Sequence, residues 1–235
     1  MMRPQDPGSL AQLVRVVGLI VRKDLTIEMR SREILFTTAF FAMSCVLVFA
    51  FGFVKDGQAI DDVAAAILWI AIAFSGTLAL GRTFERERTN ETLQALMLAP
   101  SDRPAIYLGK LIGVLVLLFV VEALLVPLVS LLFQMPVFNH PWLLLGLIAF
   151  GTLGFASVGT LFAAMLVRAR SRDVLLPVLL YPITIPVIIA GVKGTAALAQ
   201  PGGDVSARAW MAMLVFFDAV FVTLALWTFE AVMTE

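Results

Sequence analysis

Glu122 and Asp218 are the residues of this 235-residue chain whose setting is chemically unusual, because each stands inside a long apolar stretch. A carboxyl group at the depth of a bilayer is costly, so it turns toward the interior of a helix bundle and finds a partner there. Two readings of Glu122 stay open. Either it works on an interior face that moves, helped by the kink that Pro127 invites, or it is a neutral or hydrogen-bonded carboxyl that fixes packing. Asp218 is read as a packing carboxyl. His140, the only histidine, could offer an axial nitrogen to haem, but a haem site also needs a shaped apolar pocket. Between Asn139 and Pro141 it reads better as a loop imidazole. One histidine excludes a paired-histidine metal or haem site, and the lone Cys45 excludes an intramolecular disulfide. No G-x-x-x-x-G-K-[ST] loop, H-E-x-x-H helix or G-x-S-x-G elbow is present. The expectation is therefore a non-catalytic chain that holds no metal or cofactor of its own.

A second constellation fills the polar segment 82–104, RTFERERTNETLQALMLAPSDRP. Glu87, Arg88 and Glu91 fall at helical spacing, and Leu93, Leu96 and Met97 form an apolar patch beside them. Pro100 ends the element, and Ser101 and Asp102 are placed to cap the next helix, with Pro104 in its first turn. A short helix showing both charge and exposed apolar surface is a docking surface for another protein, although a solvated turn with incidental leucines has the same composition. The expected docking set is Glu85, Arg86, Glu87, Arg88, Glu91, Thr92, Leu93, Leu96 and Met97.

The elements that carry these residues follow from hydropathy. Sixty per cent of residues are apolar and only 14% charged, with a mean hydropathy of +0.96, far from the roughly 25% charged residues of a soluble domain. Stretches 34–54, 63–81, 105–133, 142–167, 174–192 and 209–233 are each about the 20 residues needed to cross a bilayer. Helices are the available spanning structure, since the alternation of a barrel strand is missing. Fourteen of the 17 Lys and Arg precede the first stretch or lie in or beside alternate gaps, leaving only Lys55, Lys193 and Arg208 elsewhere. Basic residues stay on the cytoplasmic side, so six spans with both termini inside are expected. The opening MMRPQDPGSL lacks the pattern of a cleaved signal peptide, and the first span is expected to act as an uncleaved anchor. Zero net charge gives no electrostatic reason to expect nucleic acid as a partner; the lipid bilayer is the partner that composition demands.

Residues 10–32 are too polar to cross. Leu10, Leu13, Val14, Val17, Ile20, Val21 and Leu25 share one helical face, with Arg15, Arg22, Thr26 and Arg30 on another. That pattern suits a helix lying in the membrane interface; a cytoplasmic helix packed on a partner is the alternative. Trp142 and Trp210, near span ends, read as interfacial anchors, and Tyr181-Pro182 and Pro186 interrupt the fifth span, marking either a bent or mobile helix or tolerated kinks with no role. The chain thus divides into residues 1–33, a cytoplasmic N-terminus with its interfacial helix, and 34–235, one six-helix membrane domain.

Several segments resemble the haem exporter protein B family (CcmB). These are Arg22-Lys23-Asp24-Leu25 with Glu28, Arg30 and Arg32-Glu33; Arg82-Thr83-Phe84-Glu85-Arg86-Glu87; Glu91-Thr92-Leu93; Leu98-Ala99-Pro100-Ser101-Asp102-Arg103; Tyr107-Leu108-Gly109-Lys110; and Glu122 with Pro127. The likeness extends over nearly the whole chain and is most specific in the loop and third span. It implies an all-α permease of the ABC exporter type with an N-terminal elbow helix, in the bacterial inner membrane. It further implies a cytochrome c maturation complex in which a cytoplasmic ABC ATPase subunit uses ATP. The other implied partners are a second copy of the chain, a haem-handling membrane protein, a small single-span subunit and a periplasmic haem chaperone. Haem would be delivered, or the loaded chaperone released, at the expense of ATP. An ABC permease for a lipid, glycan or drug shares the architecture, as does a membrane scaffold with no transport path.

Overall fold

Backbone amides and carbonyls inside hydrocarbon must pair within their own segment, and the computed structural model of the chain, which describes residues 10–53, 61–84, 103–167 and 169–232, is helical there apart from short turns. The helices are α1 (Leu10–Ser31), α2 (Glu33–Phe53), α3 (Asp61–Arg82), α4 (Arg103–Phe133), α5 (Pro141–Met165), α6 (Arg172–Leu198) and α7 (Asp204–Val232), with a 3-10 turn at Val137–Asn139 before α5. Among the described residues, α2 to α7 are the six helices long and apolar enough to span a bilayer. The chain is an all-α integral membrane protein of the permease kind.

The helices run up and down, so that the start of α4, the start of α6 and the end of α3 share one end of the bundle with α1; this is the basic end. The buried core divides accordingly. One half gathers Ile20, Leu80, Phe84, Tyr107, Leu176 and Phe229 at the basic end. The other gathers Trp69, Leu125, Phe133, Leu144 and Leu214 toward the opposite end. Helices α3 and α5 are the most enclosed, with 67% of their apolar windows buried against 17% for α7. Small residues make that enclosure possible. Trp69 of α3 lies against Gly151 of α5 and Gly191 of α6, where an added Cβ would stand 2.1 and 2.4 Å from the indole, and its Nε1–H donates to Thr195 Oγ1 at 3.0 Å.

Two expectations are corrected. The fifth span does not stop at residue 192: α6 continues to Leu198, with Lys193 exposed on it. A lysine ends an apolar run on a hydropathy scale without ending a helix, because its long stem carries the ammonium outward. The last span likewise begins at Asp204 rather than 209, and an Arg208–Asp204 pair at 3.3 Å supports its first turn. Helix α6 stays helical through Pro177, Pro182 and Pro186, the tolerated alternative. Each proline removes one amide donor, and packing against α3, α5 and α7 holds the helix across the gaps.

Helix α1 covers nearly all of the 10–32 stretch, with Ile20 buried and Arg15, Arg22, Thr26 and Arg30 exposed. Its inward face is less apolar than expected. Val14 points out, while the partly buried Asp24 and Glu28 turn toward the bundle. The joint to α2 is Arg32, at φ 52°, a left-handed conformation uncommon for a side chain of this size. Glu28 Oε1 accepts the Leu35 amide at 2.8 Å, capping one of the otherwise open donors in the first turn of α2.

Candidate functional site

The most densely bonded polar region surrounds the two described edges of the 82–104 segment. Lys110 lies about two turns into α4 and is 2% exposed. Its Nζ pairs with Asp24 Oδ2 of α1 at 2.9 Å and donates to the Thr83 carbonyl at 3.2 Å. It also stands 5.4 Å from the centroid of the Phe84 ring, a cation–π distance. Gly109 lets the two helices meet here, since a Cβ on it would fall 2.7 Å from Ile20 Cγ2. One buried ammonium therefore joins α1, α4 and the chain leaving α3. A charge at this depth persists only when paired and hydrogen-bonded.

Arg172 performs a parallel task from α6. It is 4% exposed, and its Nη2 donates to the Leu80 carbonyl at 3.2 Å and to that of Gly81. These carbonyls close α3, where the helix dipole leaves partial negative charge that a guanidinium satisfies. On the outside, Arg82 pairs with Glu33 at 3.1 Å, both largely exposed, a contact worth little by itself. Phe84 is fully buried. The segment therefore leaves α3 anchored by Lys110, Arg172 and Phe84, and rejoins the bundle at Arg103, with Pro104 in the first turn of α4 as expected. The expected docking residues Glu85, Arg86, Glu87, Arg88, Glu91, Thr92, Leu93, Leu96 and Met97, with the capping Ser101 and Asp102, lie outside the described residues.

The intramembrane carboxyls flank α5 from two sides. Glu122 of α4 is 2% exposed, and the Thr152 hydroxyl donates to its Oε1. Asp218 of α7 is 5% exposed and packs on Gly154, where an added Cβ would stand 2.6 Å from Oδ1. Among the described residues neither Asp218 oxygen, nor Glu122 Oε2, has a hydrogen-bond partner. The two carboxyls thus meet different residues of one helix and form no joint site. His140 is exposed on the turn ahead of α5, with Phe138 and Trp142 also exposed beside it. No three of His, Cys, Asp and Glu converge among the described residues.

Sequence reasoning named the loop and the two carboxyls but passed over Lys110, Arg172, Asp24 and Phe84 as site residues. A signal was available: Lys110 sits within an apolar stretch, and an ionised group there requires a partner. Trp69 was missed as a centre of the core for want of any way to see Gly151 and Gly191 converge on it.

Comparison with known proteins bears on the whole of this arrangement. A family model described as "CcmB protein" matches residues 15–234. "Heme exporter protein B" of Paracoccus denitrificans is 32% identical over 197 residues, covering 82% of this chain and 85% of that protein. The protein of the same name from Rhodobacter capsulatus is 29% identical over 187 residues, covering 79% and 83%. That of Pseudomonas aeruginosa is 24% identical over 196 residues, covering 83% and 87%.

Proposed function

As the chain belongs to the CcmB family, we propose that it is the membrane subunit of an ATP-driven complex for haem export in cytochrome c biogenesis. It is a multi-pass membrane protein with a transport role; the hydrolysis of ATP belongs to a separate cytoplasmic ABC ATPase. The named relatives support the haem connection, and the positive-inside distribution supports an inner-membrane orientation with both termini cytoplasmic. In this reading the basic end faces the cytoplasm, α1 lies in the interface as an elbow helix, and residues 82–104 form the coupling loop.

The observation that carries the mechanical part is the Lys110 junction. A loop that receives a push from an ATPase needs a stiff root, and this root is tied to α4 and α1 by Lys110 and to α6 by Arg172. Closure of two ATPase subunits against two copies of the chain would press Leu93, Leu96 and Met97. The load would pass through Thr83 and Phe84 into three helices together rather than bending one. Two discrete loop positions, each favoured by one nucleotide state, are what such coupling requires. The work would serve haem delivery or release of a haem-loaded periplasmic chaperone, alongside a haem-handling membrane protein and a small single-span subunit.

Co-purification with the ATPase subunit tests docking: Leu93→Glu with Leu96→Glu should abolish it, and undiminished recovery would remove the docking role. Reconstitution in proteoliposomes tests coupling. Lys110→Met should keep the ATPase bound yet lower its stimulation by the membrane subunit, and unchanged stimulation would remove the junction from the mechanism.

A further inference from the structure

Two strips run side by side along α1, away from the buried Ile20 that seats it against Gly109 of α4. Arg15, Arg22 and Arg30 follow one another about two turns apart, and all are exposed. Val14, Val21, Leu25 and Met29 form the second strip, at spacings that share a helix face. Val14 and Met29 are 66% and 75% exposed, with Val21 and Leu25 half-buried between them. The acids of α1 are engaged on the other side. Asp24 holds Lys110 at 2.9 Å and Lys23 at 3.0 Å, and Glu28 accepts the Leu35 amide. The next acid along the chain, Glu33, pairs with Arg82. None of Arg15, Arg22 and Arg30 has an ion pair or side-chain hydrogen bond among the described residues. Charge is thus sorted across the helix, with acids toward the bundle and three unengaged guanidiniums outward.

We propose that this outer surface of α1 binds anionic phospholipid at the basic end of the bundle, the guanidiniums taking headgroup phosphates while the Val14 to Met29 strip lies among the first methylenes of the acyl chains. The proposal deepens the placement of α1 in the membrane interface and depends on neither haem nor an ATPase. The arginine row selects the sign of the headgroup. Guanidinium meets phosphate through paired N–H donors, and a zwitterionic headgroup would bring an ammonium to a row that holds no acid to receive it. The apolar strip selects a membrane over a soluble anion, because a basic row beside exposed methyls matches the boundary between headgroup and acyl chain. The joint sets the depth. Arg32 alone separates α1 from α2, a helix long and apolar enough to span, so α1 stands at the level where that helix leaves the hydrocarbon.

The test uses the full chain carrying Cys45→Ser and Gly18→Cys, in nanodiscs of dioleoylphosphatidylcholine. Gly18 lies between the two strips, and nothing stands within 4 Å of a Cβ there, so a bimane on the new thiol reports the adjacent lipid without disturbing the packing. The nanodiscs contain, in turn, the same small fraction of phosphatidylglycerol or phosphatidylcholine bearing a nitroxide high on one acyl chain. The phosphatidylglycerol probe should quench the bimane about threefold more strongly, given the attraction of each basic residue to an anionic surface. Arg15→Gln, Arg22→Gln and Arg30→Gln together should bring that ratio to about one, and Lys at the same three positions should keep most of it. Equal quenching by the two probes, or a preference that survives loss of the three arginines, would overturn the assignment. Quenching by neither probe would put α1 off the membrane, removing the interfacial placement and the lipid site together. The first comparison needs no change to the arginines, so it decides even where the triple variant fails to fold.

Discussion

Lys110 of α4 and Asp24 of α1 form an ion pair at 2.9 Å in which the lysine is 2% exposed. The pair spans from the third apolar helix to the helix that precedes the first. Breaking a buried pair by removing one member costs more than the pair contributes, since the survivor is left in poor solvation. Here the asymmetry is marked, because the aspartate side chain keeps 23% of its exposure and is rescued by water in a way the lysine is not.

That asymmetry makes a prediction. Asp24→Asn should destabilise the chain by about 3 kcal/mol, because the buried ammonium loses its counter-charge, whereas Lys110→Met should cost less, because a partly exposed carboxylate is left behind. The double variant should fall close to Lys110→Met alone, a coupling of about 3 kcal/mol. Thermal unfolding in detergent of the two single variants and the double variant measures it; strict additivity would mean the pair is not an energetic unit.

The Trp69 core makes a second prediction. Gly151→Ala and Gly191→Ala each drive a methyl into the indole, and overpacking of this kind costs about 1–3 kcal/mol. Trp69→Phe relieves the crowding but strands the Thr195 hydroxyl, at about 1 kcal/mol for the lost bond plus a cavity term. Combining Trp69→Phe with Gly151→Ala should recover part of the loss. Melting temperature is the readout, and a tolerated Gly191→Ala would contradict the packing described.

The two intramembrane carboxyls are expected to respond in opposite directions. Glu122→Ala removes the acceptor of the Thr152 hydroxyl and leaves a void, costing about 2 kcal/mol, while Glu122→Gln keeps an acceptor and should stay within about 1 kcal/mol of the parent. Asp218 has no hydrogen-bond partner among the described residues, so Asp218→Asn should be neutral or stabilising by about 1 kcal/mol. If cytochrome c maturation falls in Asp218→Asn while the melting temperature rises, the carboxyl is held for function at the expense of stability. Normal maturation in Glu122→Gln would favour the packing role for that residue.

These residues also show where a sequence is readable. The spans were legible because hydrocarbon demands a run of apolar residues whatever the neighbours are, and α2, α3 and α4 fall within a few residues of expectation. The later ends were not, because Lys193 and Arg208 interrupt hydropathy while their helices continue through them. The inward turn of Asp24 and Glu28 was hidden for a related reason. A helix-face argument assigns polar residues outward, and nothing local to α1 reveals that Lys110 and the Leu35 amide wait on the other side. Pair identities between distant helices depend on packing, which hydropathy does not encode.

The orientation yields the last prediction. The basic end collects Arg82, Lys110 and Arg172, and on the proposed orientation, with basic residues retained on the cytoplasmic side, the 3-10 turn before α5 would lie on the outer face. Asn139 is exposed on that turn and in that orientation would be accessible to reagents from outside. Cys45 is the single native thiol and lies within α2, so a Cys45→Ser background is clean. In intact cells, Asn139→Cys on that background should react with a bulky impermeant maleimide, and a cysteine at position 90 should react only after the membrane is opened. The reverse pattern would invert the bundle and place the loop root on the wrong side for any cytoplasmic ATPase. Labelling of both positions in intact cells would instead put an even number of crossings between them. That would contradict the pairing of α4 as a full span with Lys110 at one end and Ser130, whose hydroxyl donates to the Met135 carbonyl at 2.9 Å, at the other.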